Sequence, residues 1–243
     1  MQHMLPYGDD NVERTIRVSI DHIELEGTLG IPKDAAGVVL FAHGSGSSRF
    51  SPRNRYVARV LRDAGFATLL LDLLSPREEE VDEITRHHRF DIGMLADRLI
   101  VAIDWLESEQ STAEMNVGLF GASTGAAAAL VAAAERPRRV SAVVSRGGRP
   151  DLAGDSLAEV EAPTLLIVGE NDDVVIQLNE EAKRLMRAEV RLDIVPNATH
   201  LFEEPGALEE VARLARHWFS RYLISTWHSQ SSHAHSSTTG RSR

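Results

Sequence analysis

Three residue types that together can cleave an acyl bond occur in order along this chain: a serine at 123, adjacent aspartates at 172 and 173, and a histidine at 200. A serine hydroxyl is a poor nucleophile at neutral pH. It needs a base to take its proton and a third group to orient that base. Ser123 lies in Gly121-Ala122-Ser123-Thr124-Gly125, between the apolar run Val117-Gly118-Leu119-Phe120 and the alanine-rich segment Ala126 to Ala134. That order predicts strand, sharp turn, helix. The turn exposes the hydroxyl, and the flanking glycines let strand and helix approach without Cβ clashes.

The acid is expected in Gly169-Glu170-Asn171-Asp172-Asp173-Val174-Val175, just past the apolar strand Leu165-Leu166-Ile167-Val168. Asp172 is the chosen residue and Asp173 its competitor. Either aspartate could instead cap a helix starting near Ile176. The base is expected at His200, which follows the last strand through Pro196, completing the chain order serine, acid, histidine. His217 falls in the final helix. His87 and His88 precede the serine, and His3 and His22 lie early in the chain. Acyl transfer also needs fixed donors for the developing oxyanion. The N–H of Thr124 is one expected donor. The other is the N–H of Ser45, with Gly44 second, in His43-Gly44-Ser45-Gly46-Ser47-Ser48. His43 is expected to bond backbone around that loop rather than act as a base.

These residues need a scaffold that places them on one edge. Arg14–Ile20 and Ile23–Leu29 alternate apolar and polar residues and read as an antiparallel pair. Gly37–Ala42 is continuously apolar, as a strand buried on both faces should be. Further strands are expected at Phe66–Leu71, Asn116–Phe120, Val140–Val144, Thr164–Val168 and Val190–Val195. Helices are expected at Arg53–Ala64, Asp91–Glu107, Thr124–Ala134, Ile176–Arg187 and Pro205–Leu223. Alternating strands and helices imply an α/β fold with a mostly parallel sheet covered on both faces. Such sheets bind ligands at the carboxyl ends of their strands, where all the candidate residues fall.

The chain has 243 residues and 43% hydrophobic content, enough for one sizeable core. One domain is expected over 1–224. The segment 225–243 is rich in Ser, Thr and His and lacks acids, so it reads as a disordered tail. His228, His233 and His235 in that tail offer at most a weak metal site. Net charge is −10, from 36 acids against 26 basic residues, which argues against a nucleic-acid or anionic-membrane partner. There is no cysteine, hence no disulfide frame, thiolate metal site or cysteine nucleophile. No signal peptide or run of about 18 apolar residues is visible, so a cytoplasmic location is expected by default. No cofactor or metal is expected, and the expected partner is a small-molecule ester.

The segments HGSGSSRFSPRNRYVA, GASTG, SRGGRPDLAG, LLIVGENDDVV and NATHLFEEPGALEEV resemble the α/β-hydrolase superfamily, and within it the small, lidless dienelactone-hydrolase-like esterases. The resemblance covers Arg14 to Leu223. It implies an eight-stranded hydrolase sheet without a separate cap domain. It also implies a serine esterase acting through Ser123, His200 and Asp172. Dienelactone hydrolases carry a cysteine where this chain has Ser123, which favours simple carboxylic esters. Similar domains occur alongside phosphoribosyltransferases. The stretch Leu73 to Arg89 is either a solvated helix start or one wall of an acyl pocket, with Leu73 and Leu74 nearest the serine. Arg146 and Arg149, past the strand ending near Val144, could meet a substrate carboxylate, but surface ion pairs are the expected role. Two other functions compete: a non-catalytic interaction domain on the same fold, and a phosphate- or nucleotide-binding enzyme using His43–Ser48 as its cradle. The latter loop lacks the Lys-Ser/Thr that a P-loop requires.

Overall fold

A computed structural model describes residues 13–224; the expected tail, 225–243, lies outside the described residues. One eight-stranded sheet runs in the order β1-β2-β4-β3-β5-β6-β7-β8. The strands are β1 (Glu13–Ile20), β2 (Ile23–Gly30), β3 (Val38–Ala42), β4 (Ala67–Leu71), β5 (Val117–Ala122), β6 (Val140–Arg146), β7 (Thr164–Gly169) and β8 (Val190–Val195). β1 pairs antiparallel with β2, and β2 with β4; from β4 through β8 the pairing is parallel. The helices are α1 (Pro52–Asp63), α2 (Pro76–Thr85), α3 (Ile92–Ser108), α4 (Thr124–Glu135), α5 (Asp173–Leu185) and α6 (Ala207–Tyr222). This is the α/β-hydrolase fold.

The sheet separates two apolar layers. On one face Leu40, Leu69 and Leu119 pack with Leu99 and Ile103 of α3 and Leu130 of α4. On the other, Phe41, Phe120 and Ile167 pack with Val57 and Leu61 of α1 and Val211, Trp218 and Phe219 of α6. Every residue of β3, β5 and β7 is buried, which is why these strands read as unbroken apolar runs.

One departure from the sequence expectation bears on the site: β6 continues past Val144 to Arg146, so Arg146 is a strand residue rather than a loop residue. In the stretch Leu73 to Arg89, Pro76–Thr85 forms α2. Ser75 and Glu78 form a reciprocal capping box at its start, satisfying N–H groups that have no partner within the helix. Between β6 and β7, Pro150–Glu159 forms short 3-10 turns kinked at Gly154 and leaves no room for a cap domain.

Candidate active site

The turn between β5 and α4 holds Ser123 at φ 51°, ψ −122°, a conformation few non-glycine residues adopt. The neighbouring glycines make the turn possible. A Cβ on Gly125 would lie 2.4 Å from the His43 carbonyl oxygen, and one on Gly121 would lie 2.4 Å from Ala126 Cα. Ser123 is fixed from below by the end of β6. Its N–H donates to the Arg146 carbonyl (3.3 Å), and its carbonyl accepts from the Arg149 N–H (3.1 Å).

The acid and the base come from neighbouring loops that are laced together. The Asn171 N–H donates to the Ala198 carbonyl (2.9 Å), and the Asn171 side-chain amide donates to the Asn197 carbonyl (3.0 Å). Glu170 accepts from the Asn197 N–H at 2.7 Å. Held this way, His200 Nδ1 stands 2.7 Å from Asp172 Oδ2. A carboxylate only accepts, so Nδ1 carries the proton and Nε2 is left as the acceptor. Asp172 occupies the N-cap position of α5, yet its side chain makes no capping bond and turns to the histidine instead. Asp173 is exposed on the first turn of that helix. The His200 ring lies against Gly147, the residue after the carbonyl that Ser123 N–H bonds: its Cε1 is 3.5 Å from where a Gly147 Cβ would be.

The loop after β3 closes over the serine. A Cβ on Gly44 would stand 3.0 Å from Ser123 Cβ. Ser45 Oγ and Thr124 Oγ1 are 3.0 Å apart, which ties this loop to the start of α4. The N–H of Thr124 belongs to the first turn of the helix and has no acceptor within it. His43 is buried at 8% exposure and spends both ring nitrogens on backbone. Nδ1 donates to the Gly44 carbonyl (3.0 Å) and Nε2 accepts from the Leu73 N–H (2.9 Å). Burial lowers its pKa, opposed by the bond to Gly44 and the charge of Asp72, so the ring is neutral. It fastens the serine-side loop to the end of β4.

A cavity of about 300 Å³ adjoins this loop. Gly44, Ser45, Leu73, Leu74 and Thr124 line it, with Leu95 and the inner side of α2. Ser123 and His200 are not among its lining residues; it reaches the turn through Gly44 and Thr124. The dienelactone hydrolase family matches residues 25–223.

The chain belongs to the dienelactone hydrolase family.

A solved dienelactone hydrolase from Anabaena variabilis is 61% identical, covers 88% of this chain and 99% of its own, and superposes with a TM-score of 0.87. A Mycobacterium tuberculosis protein named "Putative phosphoribosyl transferase" is 56% identical over 211 residues, 87% of this chain and 47% of its own. The chain thus spans about half the length of that curated relative. Est1E from Butyrivibrio proteoclasticus, at 15% identity and a TM-score of 0.71, shares the fold.

Some site residues of this family member escape sequence reasoning. Asp82, 1% exposed, accepts from the Arg89 side chain and from the Arg89 N–H (3.1 Å), bracing α2 against the cavity. Arg98 ties α3 to Glu78 and to the Leu73 carbonyl. Burial alone would raise the pKa values of Asp82 and Glu78, but hydrogen bonds from Arg89 and Arg98 hold both below the usual range. Asn179, fully buried, donates to the Gly148 carbonyl (3.0 Å) and so supports the platform under Ser123. The Ser75-x-x-Glu78 spacing, a capping-box pattern, is the one local signal that could have pointed to any of this. The expected ion pair of Arg149 is present, with Asp151 at 2.7 Å. The one expected for Arg146 is not: this side chain is 8% exposed and no described carboxylate pairs with it. Because β6 runs on, strand alternation turns Arg146 inward beside Ala142 and Val144.

Proposed function

We propose that this hydrolase is a serine carboxylesterase. Ser123 Oγ attacks the ester carbonyl while His200 Nε2 takes its proton. Asp172 fixes the histidine tautomer and stabilises the imidazolium. The N–H groups of Ser45 and Thr124 receive the oxyanion. His200 then protonates the leaving alcohol, and the acyl group stays on Ser123. Water, deprotonated by the same histidine, releases the acid and restores the serine. No metal or cofactor takes part in this scheme.

The observation that supports it best is the 2.7 Å contact of His200 Nδ1 with Asp172, on the same sheet edge as a serine held at φ 51°. Such a base–acid pair on one sheet edge with a strained, part-exposed serine suits acyl transfer. The cavity, with Leu73, Leu74 and Leu95 inside and charged α2 residues at its rim, suits a short acyl chain. A longer chain would leave its added methylenes in water, forfeiting about 0.8 kcal/mol of burial each. p-Nitrophenyl esters from acetyl to palmitoyl test this: kcat/KM should peak between acetyl and hexanoyl, with no jump on emulsified substrate. An optimum at twelve carbons or beyond would reject the pocket assignment. Failure of a phosphonate to label Ser123 would reject the mechanism. The activity named for the Mycobacterium tuberculosis relative belongs to a chain about twice as long as the shared part, and we do not carry it over.

A further inference from the structure

The tip of the loop over Ser123 is a tight turn, Gly44 to Ser47, closed by the Ser47 N–H donating to the Gly44 carbonyl at 3.2 Å. That bond leaves the Ser45 N–H free. No described residue accepts from it, and none accepts from the Thr124 N–H. The side chains of the same two residues meet instead. Ser45 Oγ and Thr124 Oγ1 lie 3.0 Å apart. Ser45 Oγ also stands 3.4 Å from the Arg89 carbonyl, a long and weak bond. A carbonyl only accepts, so a Ser45 hydroxyl that donates to Arg89 accepts from the Thr124 hydroxyl. Arg89 is fixed in turn by Asp82, through its N–H (3.1 Å) and its guanidinium. Thr124 is 3% exposed, and Ser45 is the described partner of its hydroxyl. The loop has firmer anchors at its ends: His43 accepts from the Leu73 N–H at 2.9 Å, and the Arg49 N–H donates to Asp72 at 2.6 Å. From Gly44 to Ser47, the described hydrogen bonds that leave the loop all pass through the Ser45 hydroxyl.

We propose that the Ser45 and Thr124 hydroxyls form a clasp that positions the two N–H donors for the oxyanion, steadied by the Arg89 carbonyl. The clasp rests on the esterase reading above. Each hydroxyl hangs on the residue whose N–H it places, so one 3.0 Å contact governs the spacing of the two donors. That spacing matters because a donor works only within about 2.7–3.1 Å of the oxygen that gains charge. A misplacement of about 1 Å can cost about a hundredfold in rate. The two N–H groups come from separate elements, the loop after β3 and the first turn of α4. Nothing in the backbone path alone fixes the distance between them. The hydroxyls themselves need not touch the reacting carbonyl; they act through the N–H groups. The charge on that oxygen is largest in the transition state, so a loosened clasp lowers kcat and leaves KM nearly alone. Since the two side chains make one bond, losing either should cost about as much as losing both.

The test is a double-mutant cycle on the full chain, with p-nitrophenyl butyrate as substrate. Ser45→Ala and Thr124→Val each remove one hydroxyl. Each should lower kcat about tenfold to a hundredfold with KM held within about twofold. The double variant should fall no more than about twofold below the slower single one. Ser45→Thr and Thr124→Ser keep the hydroxyls and should recover most of the loss. A second readout is inhibition by propyl trifluoromethyl ketone. Ser123 Oγ adds to its carbonyl carbon, the serine proton passes to His200, and the carbonyl oxygen becomes an oxyanion. Its Ki should weaken across the variants by about the factor that kcat falls. Damage confined to folding would not tie Ki to kcat in this way. Multiplying losses in the double variant, a loss carried by KM alone, or a Ki that stays constant while kcat falls each overturn the clasp. If Thr124→Val does not fold, the serine decides. A loss in Ser45→Ala with recovery in Ser45→Thr supports the clasp, and a loss in both or in neither rejects it. A wild type that cleaves the ester, with variants as fast, defeats the clasp alone. A wild type that neither cleaves the ester nor binds the ketone defeats the esterase reading and the clasp with it.

Discussion

On the β3–β4 side of Ser123, the buried charges Asp82 and Arg98 face opposite charges, Arg89 and Glu78. On the β6 side, Arg146 has none, and Arg53 beside it is a like charge. Both sides belong to the same sheet edge and touch the same serine through Gly44 on one flank and the Arg146 carbonyl on the other. The difference separates a finished wall from an unfinished one. Paired charges lock α2 and α3 around a cavity whose shape is already set. An unpaired, buried guanidinium carries a desolvation cost that no ion pair offsets.

The sharpest break concerns the residue both sides share. Ser123→Ala should lower ester hydrolysis by several orders of magnitude while leaving far-UV circular dichroism and Tm close to wild type. Near-wild-type turnover by the folded variant would mean neither flank serves a serine nucleophile. Next in size is the acid on the histidine flank. Asp172→Asn should cut kcat by about 10²- to 10⁴-fold, because an amide no longer fixes the proton on His200 Nδ1. Asp173→Asn should stay within about twofold, since Asp173 is exposed on α5 and makes no contact with His200. A reversed ranking would move the acid by one residue.

Most of this edge was legible in the sequence because its signals are local. Continuous apolar runs marked β3, β5 and β7, since a strand covered on both faces tolerates few polar residues. Gly121 and Gly125 marked the turn, because the contacts there leave no space for a Cβ. The choice of Asp172 over Asp173 followed from counting past β7. What escaped is long-range. Asp82 and Arg89 are seven residues apart, but their burial depends on α2 folding back over the cavity. Asn179 reaches a carbonyl 31 residues away. Arg146 was misread as a surface residue because the apolar pattern of β6 stops at Val144 while the strand continues. An arginine at a strand end looks solvent-exposed unless the loop that covers it is known.

Stability provides the third contrast between the flanks. Asp82→Ala removes the carboxylate that holds the part-buried Arg89, whose bond to the residue-82 carbonyl remains, and should cost about 1–3 kcal/mol. Arg146→Met removes a buried charge that has no partner to lose, so it should leave stability unchanged or raise it. Urea denaturation of both variants checks the pair. If Arg146→Met is destabilised as strongly as Asp82→Ala, the β6 flank is as internally satisfied as the other and the contrast disappears.

The smallest expected effect is a pH dependence that belongs to the satisfied flank alone. Burial lowers the pKa of His43 from its ordinary value of 6.5, and both of its ring nitrogens are engaged by Gly44 and Leu73. Above pH 6.5 the ring is neutral both folded and unfolded and contributes no slope. Below it, the unfolded chain takes up a proton that the folded ring refuses. Stability then falls as pH falls, by up to about 1.4 kcal/mol per pH unit, until the folded pKa is reached. In His43→Asn this slope is absent. The variant should nevertheless be weaker at pH 8, because the Leu73 N–H loses its acceptor, typically a loss of about 1–3 kcal/mol. The two effects oppose each other, so the stability gap between wild type and variant should narrow as pH drops from 7 toward 5. Urea midpoints measured across that range give the gap directly. A gap that stays constant would show that His43 titrates as freely in the folded protein as in the unfolded chain. The loop over Ser123 would then be held by something other than a neutral, buried imidazole.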